Sequence, residues 1–159
     1  MSARERFFKK VQRNSASVAP GKNSVEAEVR AFCSRMDALA QQVGQWFAGS
    51  TIEVMFSTKH IHDLSTVGYS LSSGIYRYDI TTIRLQNEDR SVTILPEQLR
   101  YGAEMGFVTM RVEAYCTTQV FYLSMAPDTG WFIRREHQSL KDNVIMTEEH
   151  FFAAVDRLA

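Results

Sequence analysis

The densest group of metal-binding side-chain types lies at residues 59–63, where the sequence reads Lys-His-Ile-His-Asp. In a strand, alternate side chains share a face, so His60 and His62 would point the same way. Two imidazoles could hold a metal ion if a third ligand, such as His137 or Asp79, came close. This pattern suggests a small metal-dependent hydrolase. Polar surface at a strand end is the favoured explanation of the pair, because the sequence places no further ligand.

Other catalytic patterns in the sequence are incomplete. A two-histidine phosphoesterase needs His-x-Thr or His-x-Ser twice, and only the segment 137–139 supplies one. The nucleophile-elbow, phosphate-loop and dinucleotide-binding glycine motifs do not occur in the sequence. Cys116 would act as a nucleophile only with a base such as His137 beside it. The sequence therefore favours a non-enzymatic protein, with no cofactor predicted.

Arginine and tyrosine residues are interspersed along the strand region between residues 69 and 135, and Tyr101 and Tyr122 are among them. These residue types dominate the hot spots of protein interfaces, and they also form stacking platforms for single-stranded nucleic acids. Because the body of the chain is net acidic, we expect a sheet face that binds a protein partner. Ordinary cross-strand pairing is the alternative explanation. The predicted partner-binding residues are Tyr76, Arg77, Tyr78, Arg111 and Arg134.

The charges are balanced overall but unevenly placed. The chain has 18 basic and 18 acidic residues, yet residues 1–22 carry six cations against one acid. A basic arm attached to an acidic body suggests an alternative function. The chain would then be a nucleic-acid-associated accessory protein tethered by phosphate contacts. The predicted contacts of this arm are Arg4, Arg6, Lys9, Lys10 and Arg13.

The elements that would position these residues begin after a linker. Residues 14–24 are small and polar and include Pro and Gly, so we expect a flexible arm and linker at 1–23 and a single domain at 24–159. Apolar residues then recur at alternating spacings of four and three, which predicts an amphipathic helix over 25–48 with Ser24 as its N-cap. The stripe suits packing on a sheet or a coiled coil. Its members are Val25, Val29, Phe32, Met36, Leu39, Val43 and Trp46.

After Gly49 the apolar pattern alternates, as expected for strands with one buried face. Turn residues at 87–90 and 126–130 predict two hairpins. A C-terminal helix follows, capped by Thr147, with Phe151, Val155 and Leu158 as its apolar side. The fold class is therefore α+β, with an antiparallel sheet of about five to six strands and a helix at either end.

The remaining composition bears on location and partners. No window reaches 18 consecutive apolar residues, so no membrane association is predicted. Cys33 and Cys116 show no Cys-x-x-Cys spacing and provide no disulfide framework. We therefore expect a soluble cytoplasmic protein with an unidentified protein partner, and a homodimer remains an open alternative.

Overall fold

The computed structural model describes residues 3–4, 20–63 and 76–159. A long helix is followed by seven strands in an antiparallel meander, and each strand pairs with its neighbours in the chain. A short helix closes the chain. The elements are α1 (Pro20–Trp46), β1 (Glu53–Asp63), β2 (Tyr76–Asn87), β3 (Arg90–Tyr101), β4 (Glu104–Ala114), β5 (Thr117–Met125), β6 (Trp131–Arg135), β7 (Val144–Ile145) and α2 (Glu148–Ala154).

The predicted α+β class and the hairpin-built sheet are confirmed, but the sheet has seven strands rather than five or six. The additional strand is β7, which pairs Val144 with Ile133 and Ile145 with Phe132. Two residues are too few to produce a detectable alternation of polar and apolar side chains. Both predicted hairpin turns are present, at the β2–β3 and β5–β6 connections.

Helix α1 begins at Pro20, four residues before the N-cap predicted at Ser24. Proline is well suited to a first helical turn because its missing N–H would have no partner there. The predicted linker therefore overlaps the first turn of the helix. The remaining arm positions 5–19, which include Arg6, Lys9, Lys10 and Arg13, lie outside the described residues.

The apolar stripe of α1 packs against the sheet, as the spacing predicts. Contacts from the helix fall on β2 and β3. Each buried side chain of this size stabilises the fold by roughly 1.5–3 kcal/mol. The central stripe residues are at most 4% exposed and belong to one core with the inward-facing strand residues: Val29, Phe32, Met36, Leu39 and Val43.

A single arginine ties α1 to the far end of the sheet. The Arg35 guanidinium donates to the carbonyl oxygens of Asp128 at 2.7 Å and Ala126 at 2.8 Å, and also to that of Gly130. It lies 5.7 Å from the centre of the Trp131 ring. These carbonyls belong to the β5–β6 turn, so the helix and this turn are fixed relative to each other.

Strand β2 pairs with β3 along only part of its length. Residues 83–87 of β2 pair with residues 90–94 of β3, whereas the first half of β2 pairs only with β1. On β3, a register shift lies between Pro96 and Gln98. Helix α1 forms hydrogen bonds with the first half of β2, which does not pair with β3. Cys33 Sγ donates to the Asp79 carbonyl at 3.5 Å, and Thr81 Oγ1 donates to Asp37 Oδ1 at 2.6 Å.

The C-terminal helix has the predicted cap but ends at Ala154, and a final 3₁₀ turn over Asp156–Leu158 completes the predicted apolar side. Thr147 Oγ1 accepts the backbone N–H of His150 at 3.1 Å. Phe151, Val155 and Leu158 are each at most 3% exposed, and the final turn contacts β3 and β4. Trp46 of α1 lies 5.0 Å from the Phe151 ring, so both helices share one side of the sheet.

Candidate functional site

The side of β3–β6 that points away from the core cluster forms a candidate binding surface, which we call the open face. Before the register shift on β3, one row of opposed side chains crosses all four of its strands. Leu95 lies opposite Thr109, Thr109 opposite Tyr122, and Tyr122 opposite Arg134. The other side of these strands faces the core, which Val108, Met110, Val112 and Leu123 join.

Gly106 shapes one end of the open face. Its φ of +66° lies in the left-handed region, which a glycine adopts at no steric cost. The strand alternation breaks at this point, so that Glu104 and Phe107 reach the same side although they are three residues apart. There the Phe107 ring contacts the Tyr122 ring, and Glu104 accepts a hydrogen bond from Arg134.

Three aromatic rings form a ladder on the open face. The rings of Tyr101 and Phe107 stack with centroids 4.2 Å apart and planes 17° apart. The Phe107 ring lies 5.0 Å from Tyr122, tilted by 60°. Tyr101 is 46% exposed, whereas Phe107 is 6% exposed. The ladder therefore presents an exposed tyrosine on a buried aromatic support.

An ion pair fixes the other end of the ladder. Arg134 lies 4.8 Å from the centre of the Tyr122 ring and donates to Glu104 Oε1 at 2.6 Å and to the Gln138 carbonyl at 2.8 Å. The side chains of Arg134 and Glu104 are 7% and 4% exposed. Because each neutralises the other, Arg134 supports the aromatic rings and adds no net charge to the face.

The hydroxyl of Tyr122 remains a hydrogen-bond donor over an extended pH range. Burial raises the pKa of this phenol, the carboxylate of Glu136 and the Tyr101 phenol raise it further, and Arg134 opposes them. The nearby negative charge disfavours the phenolate. A partner would therefore meet a neutral hydroxyl at this position.

The structure separates the five residues predicted to bind a partner. Arg111 and Arg134 both lie on the open face, where Arg111 is exposed opposite Thr93 and Val120. Arg77 is exposed on β2, outside this group. The side chain of Tyr76 lies outside the described part of the structure. Tyr78 is half-buried and faces the interior.

Tyr78 belongs to a buried polar pair. Its hydroxyl donates to Asp63, which also accepts the backbone N–H of Leu99 at 2.6 Å. Asp63 is 1% exposed, and the Tyr78 ring meets Phe32 edge-on at 6.4 Å. Burial, followed by the hydrogen bond to Asp63, raises the pKa of the Tyr78 phenol. This tyrosine joins β1, β2, β3 and the helix.

The two histidines considered as metal ligands are on β1 and exposed. His60 lies opposite Asp79, and its Nδ1 is 2.5 Å from Asp79 Oδ1. His62 lies opposite Arg77, whose positive charge would disfavour a cation. Within residues 20–63 and 76–159, no three His, Cys, Asp or Glu side chains are grouped as a metal site would require.

The structure also brings a cysteine close to the His60–Asp79 pair. Cys33, Asp37 and Asp79 line a cavity of about 330 Å³ together with Thr58 and Thr81. Burial raises the pKa of the Cys33 thiol, and the two carboxylates raise it further. A thiol that holds its proton is a poor nucleophile, so the electrostatics of this cavity disfavour cysteine catalysis.

A further cavity, of about 390 Å³, lies between the β5–β6 strands and the C-terminal helix. It combines an apolar floor, which includes Phe121 and Ile133, with charged side chains at its margin. Its cations are Arg134, Arg135 and Arg157, of which Arg134 is already paired with Glu104, and its carboxylates are Asp142 and Asp156. This balance selects neither an anion nor a cation.

The sequence interpretation did not single out Tyr101, Glu104, Phe107 or Tyr122 as site residues. Tyr101 and Tyr122 appeared in the arginine–tyrosine pattern, but their association depends on the break in alternation at Gly106. A lone glycine before a strand gave no sign that Glu104 and Phe107 would share a face. Spacing alone would have placed them on opposite sides.

Comparison with protein-family models, with curated proteins and with solved structures gives no match for this chain. None of the helices in the described ranges is both long enough and apolar enough to cross a bilayer.

Proposed function

We propose that this chain is a non-enzymatic interaction domain that binds a protein partner through the open face. The observation that carries the proposal is the aromatic ladder of Tyr101, Phe107 and Tyr122, held by the buried Glu104–Arg134 pair. Tyrosine offers a large amphipathic contact with little side-chain entropy to lose. The stacking that already fixes these rings further reduces the entropic cost of binding.

The charge of the open face favours a protein over a nucleic acid. Arg134 is neutralised by Glu104, and the exposed Arg111 is accompanied by Glu113 on the same strand and by Glu136 beyond β6. A surface for phosphates needs clustered uncompensated cations, because counterion release drives that binding. The nucleic-acid alternative therefore depends on the basic arm, of which only Arg4 is among the described residues.

The partner that fits this surface presents an apolar group and, at a separate point further along β4, a carboxylate. The apolar group would lie on the exposed ring of Tyr101, and the carboxylate would pair with Arg111. The Arg111 guanidinium forms no hydrogen bond or ion pair with any described residue, so it can bind a partner without breaking an internal contact. Arginine–carboxylate pairs also add geometric specificity. We infer a cytoplasmic location, because Cys33 and Cys116 are both free.

The experiment begins with affinity capture on the full chain and identification of the captured protein by mass spectrometry. The purified partner is then titrated against Tyr101→Ala and Arg111→Ala. We expect each variant to weaken binding by on the order of tenfold or more, as hot-spot residues do.

Tyr115→Ala is the matched control, since Tyr115 is 66% exposed but lies in the β4–β5 turn. Unchanged affinity in both open-face variants, or a loss confined to the Tyr115 variant, would contradict the proposal. Salt-sensitive retention on heparin that disappears when residues 1–22 are deleted, without any protein ligand, would favour the nucleic-acid alternative.

A further inference from the structure

Strand β1 forms a long, regular edge of the sheet. It has eleven residues and pairs with β2 over its whole length without a register shift. Among the described strands, only β2 lies beside it. The strand contains no proline. Proline and bulges are common devices that keep an edge strand from pairing with another chain, and β1 lacks both.

The two edges of the sheet differ in a way that bears on assembly. The opposite edge is β7, whose two residues are too short to template a strand. Two large apolar side chains of β1, Met55 and Phe56, are 41% and 53% exposed. Phe56 lies beside Gly44 of α1, where a Cβ would be 3.6 Å from the Phe56 ring. The Phe56 ring thus lies next to α1 and is still about half exposed.

We propose that two copies of this chain associate through β1, pairing antiparallel so that Phe56 lies opposite Phe56 of the second copy. Along a free strand edge, the N–H and C=O groups of alternate residues point outwards. When two copies of one strand pair, each outward-pointing residue must therefore face an outward-pointing residue of the other copy. The residue numbers of two opposed residues then differ by zero or by an even number. This condition removes half of the conceivable registers.

Charge complementarity selects among the registers that remain. With Phe56 opposite its own copy, Glu53 lies opposite Lys59 of the second copy, and the symmetry repeats this opposite-charge pair. Within its own copy, Lys59 Nζ also donates to the Pro96 carbonyl at 2.9 Å and lies 3.4 Å from Glu97, so Glu53 would add a second carboxylate to a partly exposed ammonium. A shift of two residues on each strand would instead place Glu53 opposite Asp63, and like charges directly opposed are destabilising. The favoured register also opposes Val54 with Thr58 and Met55 with Ser57, which are compatible strand neighbours.

The first test introduces a single new cysteine into the full chain, in which Cys33→Ser and Cys116→Ser remove the two native thiols. Opposed residues of an antiparallel pair have Cα atoms about 4.5–5.5 Å apart, within the range that a disulfide bridges. Phe56→Cys is therefore expected to give a covalent dimer under mild oxidation. Met55→Cys is the matched control, because its two copies would lie diagonally and outside that range.

A second test measures mass in solution by sedimentation at about 10–200 μM protein. The wild-type chain is expected to approach twice its monomer mass as concentration rises. Phe56→Asp and Phe56→Lys, which place like charges together, should each remain monomeric, and an equimolar mixture of the two should recover the dimer. Tyr101→Ala should dimerise as the wild type does, since it lies on the open face.

A wild-type monomer throughout this range would overturn the proposal, as would equal cross-linking of the two cysteine variants. A dimer that survives Phe56→Asp would place self-association elsewhere on the molecule. Binding of a heterologous partner at the open face is unaffected by these outcomes, so the two proposals can fail independently.

Discussion

Arg134 and Glu104 form an ion pair of 2.6 Å in which neither side chain is more than 7% exposed. Glu104 belongs to the start of β4 and Arg134 to the end of β6, so the pair spans β5. The pair also holds Arg134 over the Tyr122 ring. An arginine predicted from the sequence to touch a partner is thus itself buried, and it supports the ring of Tyr122 on the proposed binding surface.

Arg134→Ala should destabilise the fold strongly, because it leaves the Glu104 carboxylate buried without its counter-charge. Breaking a buried pair in this way costs about 3–5 kcal/mol. Chemical denaturation followed by circular dichroism measures the change. Arg111→Ala, on the same face but exposed, should change stability by no more than about 0.5 kcal/mol. Equal effects of the two substitutions would show that the pair contributes little.

Gly106→Ala should be more destabilising than Gly102→Ala. Both glycines have a positive φ, which costs an L-residue roughly 1–2 kcal/mol. A Cβ at Gly106 would in addition lie 2.7 Å from Met125 Cγ, whereas a Cβ at Gly102 meets no atom within 4 Å. The difference between their unfolding free energies therefore measures the displacement of Met125. Identical values would mean that Met125 moves aside freely.

Tyr78 should make the protein sensitive to alkali. The folded state raises the pKa of this phenol above the ordinary value of 10.0, so its contribution is complete below pH 10 and is lost as pH rises further. Thermal midpoints measured between about pH 8 and 11 should fall less steeply for Tyr78→Phe than for wild type. Tyr115→Phe serves as the exposed control and should retain the wild-type slope.

The two cysteines should react with iodoacetamide at different rates. Cys116 is exposed, whereas Cys33 is half-buried and burial raises its pKa, so less of it is present as the reactive thiolate. Mass mapping at pH 8 should show Cys116 alkylated at least about tenfold faster. Unfolding in urea should remove the difference. Preferential modification of Cys33 in the folded protein would refute this assignment.

The helices and hairpins could be predicted because their signals report burial directly. The stripe from Val29 to Val43 repeats with the helical period because one side of α1 packs in the core. The turns before Arg90 and Trp131 contain residues whose backbone preferences favour tight reversals. Such local signals predict helices and turns well, because they do not depend on which part of the chain packs against them.

The candidate site depends on relations that local signals do not contain. The burial of Arg134 requires Glu104 to reach the same side of the sheet, which follows from the left-handed conformation of Gly106. The half-buried position of Tyr78 depends on Asp63, fifteen residues earlier in the chain. Polarity alone would leave Arg134, Glu104 and Asp63 at the surface, because the partners that allow a charged side chain to be buried are defined only by the fold.

The path of the chain through the meander has a consequence for biosynthesis. Every strand pairs with its chain neighbour, so each hairpin can close as soon as its second strand leaves the ribosome. Helix α1 is made before the seven strands, yet Arg35 binds the turn at 126–130, which follows β5 in the chain. During this interval the apolar stripe of α1 lacks its final packing, and the nascent chain is most vulnerable to aggregation and to capture by chaperones.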